Sequence, residues 1–487
     1  MTSQLSASGA PHGVEGRADD APAAPLPGAW PLLGHAPALL RDPLGVLARA
    51  GRLGPVTVAR LGPVRAYLVT DPSLIRAILV RDAADYDKGF QFDALRGLIG
   101  DGVGTSSGER HRRHKRLLRP AFDHAAVERY ATDMAAQTRR FLDAHWDAAA
   151  ADGRPVDAAL DLRMLAMRLV THSMSGSEVA ADRVMRELPR MLAGVGRRAL
   201  LPVKALDRLP TPGNRRFDRS LAAVHAVADG MIARHRDRAR QGADGPPTLL
   251  DTLLAAVDEE GAGFTDAQAH DEIMTLLLAG TETAAGVMAW TLHVLARDQA
   301  LQERVRDEVR AAADDGGEAD SGDGGGDGDR ADADGGAPVM AGLRRLDLTG
   351  RVVKEVLRLY PPGWIVGRRT LRETPLGGTI VPARSQVLLN FYGLHRDPAA
   401  FADPDRFDPD RWLDPDPEPT ATHYLPFGTG PHGCLGEGYA WTEILGTVAA
   451  VLARYRLQPV AGSRVRPVAR TTLHPDTVPL RLHALSR

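Results

Sequence analysis

The sequence predicts a mostly α-helical protein with a minor β region, folded as a single large domain. Apolar positions recur at helical spacing over residues 124–150, 219–240, 265–297 and 298–313. Short β-like segments occur at residues 55–60, 65–69, 386–390, 455–460 and 479–484. No tandem repeat and no Ser- or Pro-rich linker divides the body of the chain, so we expect one domain.

The composition excludes several classes of protein. The chain has 487 residues, of which 44% are hydrophobic and 25% charged, as is typical of a large globular protein. A single cysteine, Cys434, rules out an internal disulfide, so nothing indicates an oxidising compartment. The formal net charge is -2, but much of the negative charge lies in one short acidic segment. The rest of the chain is mildly basic, which hints at an acidic partner.

The amino-terminal residues 1–26 predict a disordered tail. They are rich in Ala, Ser, Gly and Pro, and they lack the basic start and apolar core of a signal peptide. No run of 18 apolar residues occurs, so we expect no membrane span. We therefore expect a cytoplasmic protein, with the folded domain covering residues 27–487.

Six basic residues crowd the segment GERHRRHKRLLRPAF at residues 108–122. The default interpretation is a solvated helix face. Nucleic acid is disfavoured, because no interleaved aromatic residues and no nucleic-acid motif accompany the charges. An anionic cofactor group or an acidic partner protein fits a compact basic patch better. Just before it, residues 104–108 match G-x-S-x-G, but the glycine-broken segment RGLIGDGV is a poor candidate for the strand that a hydrolase nucleophile requires.

The segment at residues 264–297 predicts a long helix through the core. Thr265 and Gln268 form a capping-box pattern at its start. Its centre reads AGTET, residues 279–283, where a glycine, two threonines and a glutamate all disfavour a buried helix. Two interpretations remain open from the pattern alone. One is an opened groove with a carboxylate and a hydroxyl beside it, and the other is a tolerated kink with Glu282 in solvent.

Residues 314–336 predict a disordered loop insertion of Gly, Asp and Ala. A calcium loop is the alternative, but its best register would start at Arg330, where Asp is required, and end at Ala341 in place of Glu. Farther on, Pro361 and Pro362 end a helical segment in which Glu355 and Arg358 share one face. Taken alone, that pair would be an unremarkable surface ion pair.

The segment FGTGPHGCLG at residues 427–436 supports two interpretations. Gly428, Gly430 and Gly433 match G-x-G-x-x-G, the pattern of a dinucleotide-binding loop. Such a fold needs an acidic residue about 20 positions later, and residues 446–462 contain none. The alternative is a loop that presents the Cys434 sulfur, with the glycines arranged around it.

The order and spacing of these motifs resemble the cytochrome P450 family of haem-thiolate monooxygenases, from about Pro27 to the carboxyl terminus. The resemblance implies a P450-type domain with its long central helix over the haem. The residues that carry it are AGTET at 279–283, EVLR at 355–358, PDRW at 409–412 and FGTGPHGCLG at 427–436.

The resemblance implies a role for each matching residue. Cys434 would be the axial iron ligand, and a thiolate there favours cleavage of the O–O bond. The neighbouring glycines would let backbone N–H groups approach the sulfur, with Phe427 packed against the haem. A buried charge network would be formed by Glu355, Arg358 and Arg411. The haem b propionates would be bound by His111, Lys115, Arg368 and His432, with Lys115 and His432 standing where the family more often has Arg.

Glu282 and Thr283 match the family's acid–alcohol pair, which relays protons during insertion of one oxygen atom from O2. The pair argues against a haem protein that only senses or carries electrons. We expect electrons from a separate ferredoxin and ferredoxin reductase, with the ferredoxin docking near Arg112, Arg113 and Arg116. The pocket implied by the resemblance is apolar, so we expect a hydrophobic substrate of secondary metabolism, a terpenoid in preference to a polyketide or a fatty acid. Its lining residues would be Phe90, Phe92, Leu95, Ile99, Leu276, Ala279, Trp364, Ile365 and Val366.

Overall fold

The computed structural model describes residues 23–176, 209–241, 247–318, 336–414 and 417–485, together with a few positions between 183 and 194. The helices in the described residues are α1 (Ala36–Arg41), α2 (Pro43–Leu53), α3 (Pro72–Arg76), α4 (Phe90–Ile99), α5 (Gly108–Leu118), α6 (His124–His145), α7 (Asp147–Ala151), α8 (Ala158–Ser175), α9 (Pro212–Gln241), α10 (Leu249–Ala255), α11 (Asp266–Arg297), α12 (Gln299–Glu318), α13 (Gly336–Arg344), α14 (Asp347–Leu359), α15 (Phe391–Leu394), α16 (Pro417–His423) and α17 (Glu437–Arg454). A π-helical turn at Ala77–Arg81 and 3-10 turns at Ala83–Asp85, Arg119–Phe122, Pro409–Trp412 and Gly430–His432 complete the helical segments.

The strands are short. They are β1 (Ala24–Pro25), β2 (Val56–Leu61), β3 (Val64–Val69), β4 (Tyr86–Asp87), β5 (Val156–Asp157), β6 (Val366–Thr370), β7 (Thr374–Leu376), β8 (Thr379–Val381), β9 (Gln386–Leu389), β10 (Tyr455–Pro459), β11 (Pro467–Ala469), β12 (Leu473–Pro475) and β13 (Pro479–Ala484). Six of them form one mixed sheet in the order β1-β2-β3-β9-β6-β4. The others form a three-stranded sheet, β10-β13-β5, and two hairpins, β7-β8 and β11-β12. The prediction of a mostly helical protein with a minor β region is confirmed.

Helix α11 is the centre of the fold. The capping box predicted at its start is present: the Thr265 hydroxyl accepts from the Gln268 N–H, and the Gln268 side chain accepts from the Thr265 N–H. Its 32 residues span about 48 Å at 1.5 Å per residue. Helices α8, α9 and α17 pack around it, and their apolar faces form the largest core cluster.

Length and composition alone would allow α11 to cross a membrane, and it is the one helix in the described residues that meets this criterion. Of its most apolar window, 67% is buried inside the protein. That burial is the property expected of the core helix of a folded domain.

Two predicted boundaries need correction. The disordered tail predicted for residues 1–26 ends too late, because Ala24 and Pro25 pair in parallel with β2 and Leu26 is buried; residues 1–22 lie outside the described residues. The insertion predicted at 314–336 begins too early, because the Ala-rich end of α12 continues to Glu318, and α13 already starts at Gly336. Residues 319–335 lie outside the described residues.

Candidate active site

Cys434 lies in a tight loop between a 3-10 turn and the start of α17. Its N–H donates to the Phe427 carbonyl at 2.8 Å, and the Gly433 N–H donates to the Gly430 carbonyl at 3.0 Å. Gly436 is the N-cap of α17, so the sulfur lies near the positive end of a helix of 18 residues. The loop therefore fixes the backbone of the single cysteine beside a helix N-terminus, a position that by itself lowers the pKa of a thiol.

The surroundings of the thiol agree with a ligand site. The Cys434 side chain is accessible, yet burial raises the pKa of its thiol, while the Gly436 N–H and Lys115 lower it and Glu437 raises it. Accessibility and burial are compatible when the sulfur faces a space that the protein encloses. A bound metal cation would deprotonate a thiol in this position.

The glycines of the loop have different reasons to be glycine. Gly430 has φ +70, and a Cβ built there would lie 2.2 Å from the Leu79 carbonyl oxygen. Gly428 has φ +68 but open space around its Cβ position, with the nearest atom at 3.9 Å. The Gly436 N–H lowers the pKa of the sulfur, whereas the Gly433 N–H donates to the Gly430 carbonyl. The places of Gly430 and Gly433 are set by the close approach of Leu79 and by the turn.

The middle of α11 carries an accessible patch although residues 272–275 and 284–292 on either side of it are buried. Between Glu272 and Leu292, the positions that are not fully buried fall within residues 276–283, and Ala279 is exposed. Leu276, Ala279 and Thr283 lie on one face at spacings of three and four residues. The surface formed by these three residues is apolar except for the Thr283 hydroxyl.

The AGTET segment does not break the helix. Residues 266–297 are α-helical throughout. The Thr283 hydroxyl donates to the Ala279 carbonyl at 2.6 Å, and the Thr281 hydroxyl donates to the Leu277 carbonyl at 2.7 Å. Gly280 allows close packing with α8, because a Cβ there would lie 3.0 Å from Val170 Cγ2. Of the two interpretations left open by the sequence, Glu282 in bulk solvent is excluded: it is half-buried, and the Thr472 hydroxyl donates to its Oε2 at 3.4 Å.

Cationic side chains converge beside the cysteine loop. Lys115 Nζ donates to the carbonyls of Pro431 and Gly433 at 2.8 and 2.9 Å. The rings of His111 and His432 lie 4.1 Å apart, centroid to centroid. Arg368 is buried on β6, and its Nη1 donates only to the Gly367 carbonyl among the described residues. The structure thus brings together all four of the residues expected to bind propionates.

Lys88 is a fifth member of this cationic cluster, and no sequence motif points to it. It lies beside the six-stranded sheet, just before α4, and its Nζ donates to the carbonyls of Val103 and Gly104 at 2.6 and 2.8 Å. Burial and the charge of Arg368 lower the pKa of Lys88 to about 7. A single lysine belongs to no sequence motif. Only the fold shows that it lies beside the other basic residues of the cluster.

The electrostatics of the cluster indicate an anionic group. Burial, followed by the neighbouring cations, lowers the pKa of His111 to about 3 and also lowers the pKa of His432. These lowered pKa values leave both imidazoles neutral at neutral pH. In the part of the chain that the structure describes, Lys88, Lys115 and Arg368 form no ion pair with a carboxylate. The buried Nδ1 of His432 has no hydrogen-bond partner. Uncompensated buried cations are costly, so two carboxylates of a cofactor fit this place.

The residues present therefore fit a flat, anionic cofactor that carries a metal. The Cys434 sulfur provides a soft metal ligand. The cationic cluster provides donors for carboxylates, and the patch on α11 provides an apolar surface.

The predicted charge network forms a buried unit next to this site. Arg358 Nε and Nη2 donate to the two Glu355 oxygens at 2.9 and 2.8 Å, and both side chains are fully buried. Arg411 Nε also donates to Glu355 at 2.9 Å, and the Trp412 indole donates at 3.0 Å. The pair that would be unremarkable on a surface is thus the centre of an interior network.

His395 connects this network to the cysteine loop, and the sequence analysis missed it. Its carbonyl accepts from Arg358 Nη1 at 2.9 Å, and its Nε2 accepts from the Leu425 N–H at 3.0 Å. Burial, then the charges of Arg396 and Arg358, lowers the pKa of His395 to about 3. A neutral imidazole thus joins the charge network to the segment that leads into Phe427.

The residues predicted to line a substrate pocket divide into two groups. Phe90, Phe92, Leu276, Ala279, Leu95, Ile365 and Val366 are half-buried or exposed. Ile99 and Trp364 are buried in core clusters. The Trp364 indole donates to the Arg470 carbonyl at 3.0 Å, which holds the ring against the β11-β12 hairpin.

The arginines predicted to dock a partner are not equivalent. Arg113 turns inward, with Nε donating to Asp258 at 2.6 Å and Nη2 donating to the carbonyls of Ala262 and Gly263. Arg113 is therefore engaged within the protein and is less exposed than its two neighbours. Arg112 and Arg116 are exposed and pair with Glu109 and Glu259, which are also exposed.

The two rival enzyme classes do not agree with the structure. Ser106 of the G-x-S-x-G match is buried and follows helix α4 rather than a strand, so it is not a nucleophile elbow. The G-x-G-x-x-G match lies in a loop that does not follow a strand of a parallel sheet, which excludes a dinucleotide fold.

Comparisons with known proteins agree with this site. The family model described as Cytochrome P450 matches residues 24–480. The chain is 36% identical to cyclooctat-9-en-7-ol 5-monooxygenase of Streptomyces melanosporofaciens over 441 residues, covering 90% of each chain. It is 34% identical to pentalenene oxygenase of Streptomyces avermitilis over 464 residues, covering 94% of this chain and 96% of the relative.

A solved structure shares the fold. The crystal structure of the cytochrome P450DA heme domain superposes with a TM-score of 0.76 at 23% sequence identity, covering 96% of this chain and 99% of the other. The chain belongs to the cytochrome P450 family. It is a haem-containing monooxygenase, and the family resemblance stated from the sequence is confirmed.

Proposed function

We propose that this monooxygenase inserts one oxygen atom from O2 into a terpenoid of secondary metabolism. The observation that supports it is the apolar, accessible patch at the middle of α11, together with the half-buried Phe90 and Phe92. Such a surface binds a hydrocarbon skeleton by excluding water from it. Relatives whose names specify cyclooctat-9-en-7-ol and pentalenene, at 36% and 34% identity, favour a terpenoid over a polyketide or a fatty acid.

The cofactor is proposed to be haem b. Cys434 would be the axial ligand of its iron, while His111, Lys115, Arg368 and His432 would donate to its propionates, with Lys88 as an added cation. When bound, the haem supplies the activation of O2 and the transfer of one oxygen atom. Phe427 would pack beside the sulfur, and the Glu355–Arg358–Arg411 network would keep the loop in place.

Glu282 and Thr283 would supply protons at the accessible patch. The Thr283 hydroxyl uses its hydrogen toward the Ala279 carbonyl at 2.6 Å, which leaves oxygen lone pairs free to accept a proton. Glu282 is half-buried and held near Thr472. A carboxylate and a hydroxyl on adjacent residues are suited to pass protons inward from solvent.

The first test is the spectrum of the reduced protein with carbon monoxide. A red-shifted Soret band is expected for a haem with a thiolate ligand, and its absence would overturn the proposal. Product analysis with 18O2 should then show one labelled oxygen in a terpene hydrocarbon or alcohol. Oxidation of a fatty acid or a macrolide core in preference to every terpene in a panel would refute the substrate class.

The proton role is tested by Thr283→Ala. We expect retained haem and reducing equivalents released as peroxide. Thr291→Ala is the matched control, because that hydroxyl also donates to a carbonyl one turn earlier on α11, Val287, at 2.8 Å, but is fully buried. Fully coupled turnover in Thr283→Ala, or equal uncoupling in both variants, would contradict the role.

Electrons are proposed to come from a ferredoxin and its reductase, with the protein in the cytoplasm. The exposed Arg112 and Arg116 would attract an acidic partner. Reversing both charges should slow reduction most at low salt, since rim charges act mainly on association rates. Arg154→Glu, at an exposed position paired with Asp152, is the control, and equal effects on reduction would exclude docking on α5.

A further inference from the structure

We propose that His474 passes protons from solvent to Glu282. This inference rests on the proposed function, because His474 would deliver solvent protons to the relay formed by Glu282 and Thr283. His474 lies on β12, and the motifs of the sequence did not point to it. The observation is a small cavity lined by Glu282, His474 and Arg163 together with apolar atoms of α8, α11 and β12. It has about 10 Å³ of space for the centre of a water molecule, which is about enough for one water.

Small residues of α11 create this cavity. The β11-β12 hairpin packs directly on the helix at Gly286, where a Cβ would lie 3.4 Å from His474 Cβ. Ala285 and Ala289 flank this contact and line the same space. The sequence therefore brings an imidazole, a guanidinium and a carboxylate to one opening beside the proposed relay.

The hydrogen bonds of His474 define its protonation sites. Its Nδ1 lies 2.9 Å from the Pro475 carbonyl, and a carbonyl only accepts, so Nδ1 carries a hydrogen. In the neutral ring, Nε2 then has the free lone pair and is the atom that takes up and releases a proton. Burial lowers the pKa of His474; the Pro475 carbonyl and Glu282 raise it, and Arg163 and Arg470 lower it. The ring is therefore neutral at neutral pH and becomes charged only while it carries a proton.

Glu282 is oriented for this transfer by the same hairpin. The Thr472 hydroxyl donates to its Oε2 at 3.4 Å. This long bond restricts the orientation of the carboxylate but leaves its oxygens able to exchange a proton. The oxidation consumes one O2, two electrons from the redox partner and two protons from water, and it releases the oxygenated product and one water. Each proton would move from solvent to His474 Nε2, then through water to Glu282, and then to the Thr283 hydroxyl.

The first experiment is His474→Gln, which keeps the size of the side chain but removes a group that titrates. We expect about a tenfold or larger fall in kcat at unchanged KM, with a larger solvent deuterium isotope effect, since proton delivery would limit turnover. His293→Gln is the matched control: His293 is also a half-buried histidine whose pKa is lowered, to about 4, by burial, but it does not line this cavity. Unchanged kcat and isotope effect in His474→Gln would overturn the inference.

The second experiment needs no turnover. The pKa of His474, followed by NMR of its ring, should fall in Glu282→Gln, because the carboxylate that raises it is removed, and should rise in Arg163→Met. An unaltered His474 pKa in both variants would overturn the inference even if His474→Gln folded poorly. Loss of the carbon monoxide band in the wild type would instead refute the proposed function, and this inference with it.

Discussion

Replacing Glu355 by Gln tests whether the buried charge network holds the fold. The two Glu355 oxygens accept hydrogen bonds from Arg358 Nε and Nη2, from Arg411 Nε, from the Trp412 indole and from the Asp408 N–H. Glutamine has the same shape, but its amide nitrogen cannot accept. The variant therefore removes the negative charge and leaves donors without acceptors, while Arg358 remains fully buried.

The expected loss is large because an uncompensated charge stays in the interior. Removing one partner of a buried ion pair costs about 3–5 kcal/mol, against a total stability of about 5–15 kcal/mol for a folded domain. Arg358 keeps its bonds to the carbonyls of His395, Pro404 and Arg406. These bonds satisfy the guanidinium hydrogens but do not neutralise the charge. We therefore expect the free energy of unfolding to fall by an amount in the lower half of the range for a broken buried ion pair.

Glu109→Gln is a matched control for burial. Glu109 and Arg112 are also three residues apart on a helix, with a nitrogen–oxygen distance of 2.8 Å, the same as in the buried pair. Their side chains are 86% and 59% exposed, so this pair contributes about 0–1 kcal/mol.

Urea unfolding followed by far-ultraviolet circular dichroism, with haem content in parallel, measures the difference. Equal unfolding midpoints for the two variants would refute the argument that burial makes the network important. If Glu355→Gln does not fold, Arg411→Gln replaces it. This variant removes the Nε bond to Glu355 and the bonds to the carbonyls of Ala402 and Arg406, at a side chain that is 13% exposed. It leaves the Glu355–Arg358 pair intact, so it should cost about 1–3 kcal/mol.

Three further predictions follow from single contacts. Gly430→Ala should destabilise the protein and lower its haem content more than Gly428→Ala. Both glycines have positive φ, but only at Gly430 would a Cβ clash with a backbone oxygen. Equal losses of stability and haem in the two variants would contradict this reasoning. His395 has a pKa of about 3 in the folded protein, below the ordinary 6.5. Between pH 3 and 6.5 the unfolded state therefore binds more protons than the folded state, so stability falls as pH falls through this range. His395→Gln should flatten that dependence in acid unfolding, and an unaltered pH profile would exclude the residue as its source. Lys88→Met should weaken haem retention in a competition with apomyoglobin, because it removes a cation of the cluster. The control is Lys354→Met, at a half-buried lysine on α14, and equal haem loss in both variants would contradict the role of Lys88.

The helices that carry the site were predictable because their signals are local. The capping box at Thr265 and Gln268 needs only neighbouring residues, and it starts α11 where the sequence indicates. Glu355 and Arg358 share a face by helical spacing alone. Their burial could not be derived from that spacing, since it depends on the segment around Arg411, far along the chain. The family resemblance supplied what periodicity did not.

The residues that the sequence missed are those whose role arises from long-range packing. Lys88 is held within the cationic cluster by the bonds of its Nζ to the carbonyls of Val103 and Gly104. His395 acts through its contacts with Arg358 and Leu425, which are 37 and 30 residues away. A single lysine or histidine in a sequence carries no spacing that would reveal such contacts.

The glycines of α11 explain how one helix serves two sides of the site. Gly280 lets α8 approach at Val170, and Gly286, six residues later and therefore about 240° around the helix, lets the β11-β12 hairpin approach at His474. Glu282 lies between these two contacts along the helix, while Ala279 and Thr283 occupy the accessible patch. Because two neighbouring elements are drawn close on different faces, the carboxylate reaches a cavity that opens beside the hairpin, and the adjacent hydroxyl faces the patch. Gly280 and Gly286 are thus required by the elements that pack on them. Their cost in helix stability is offset by close packing that a larger side chain would prevent.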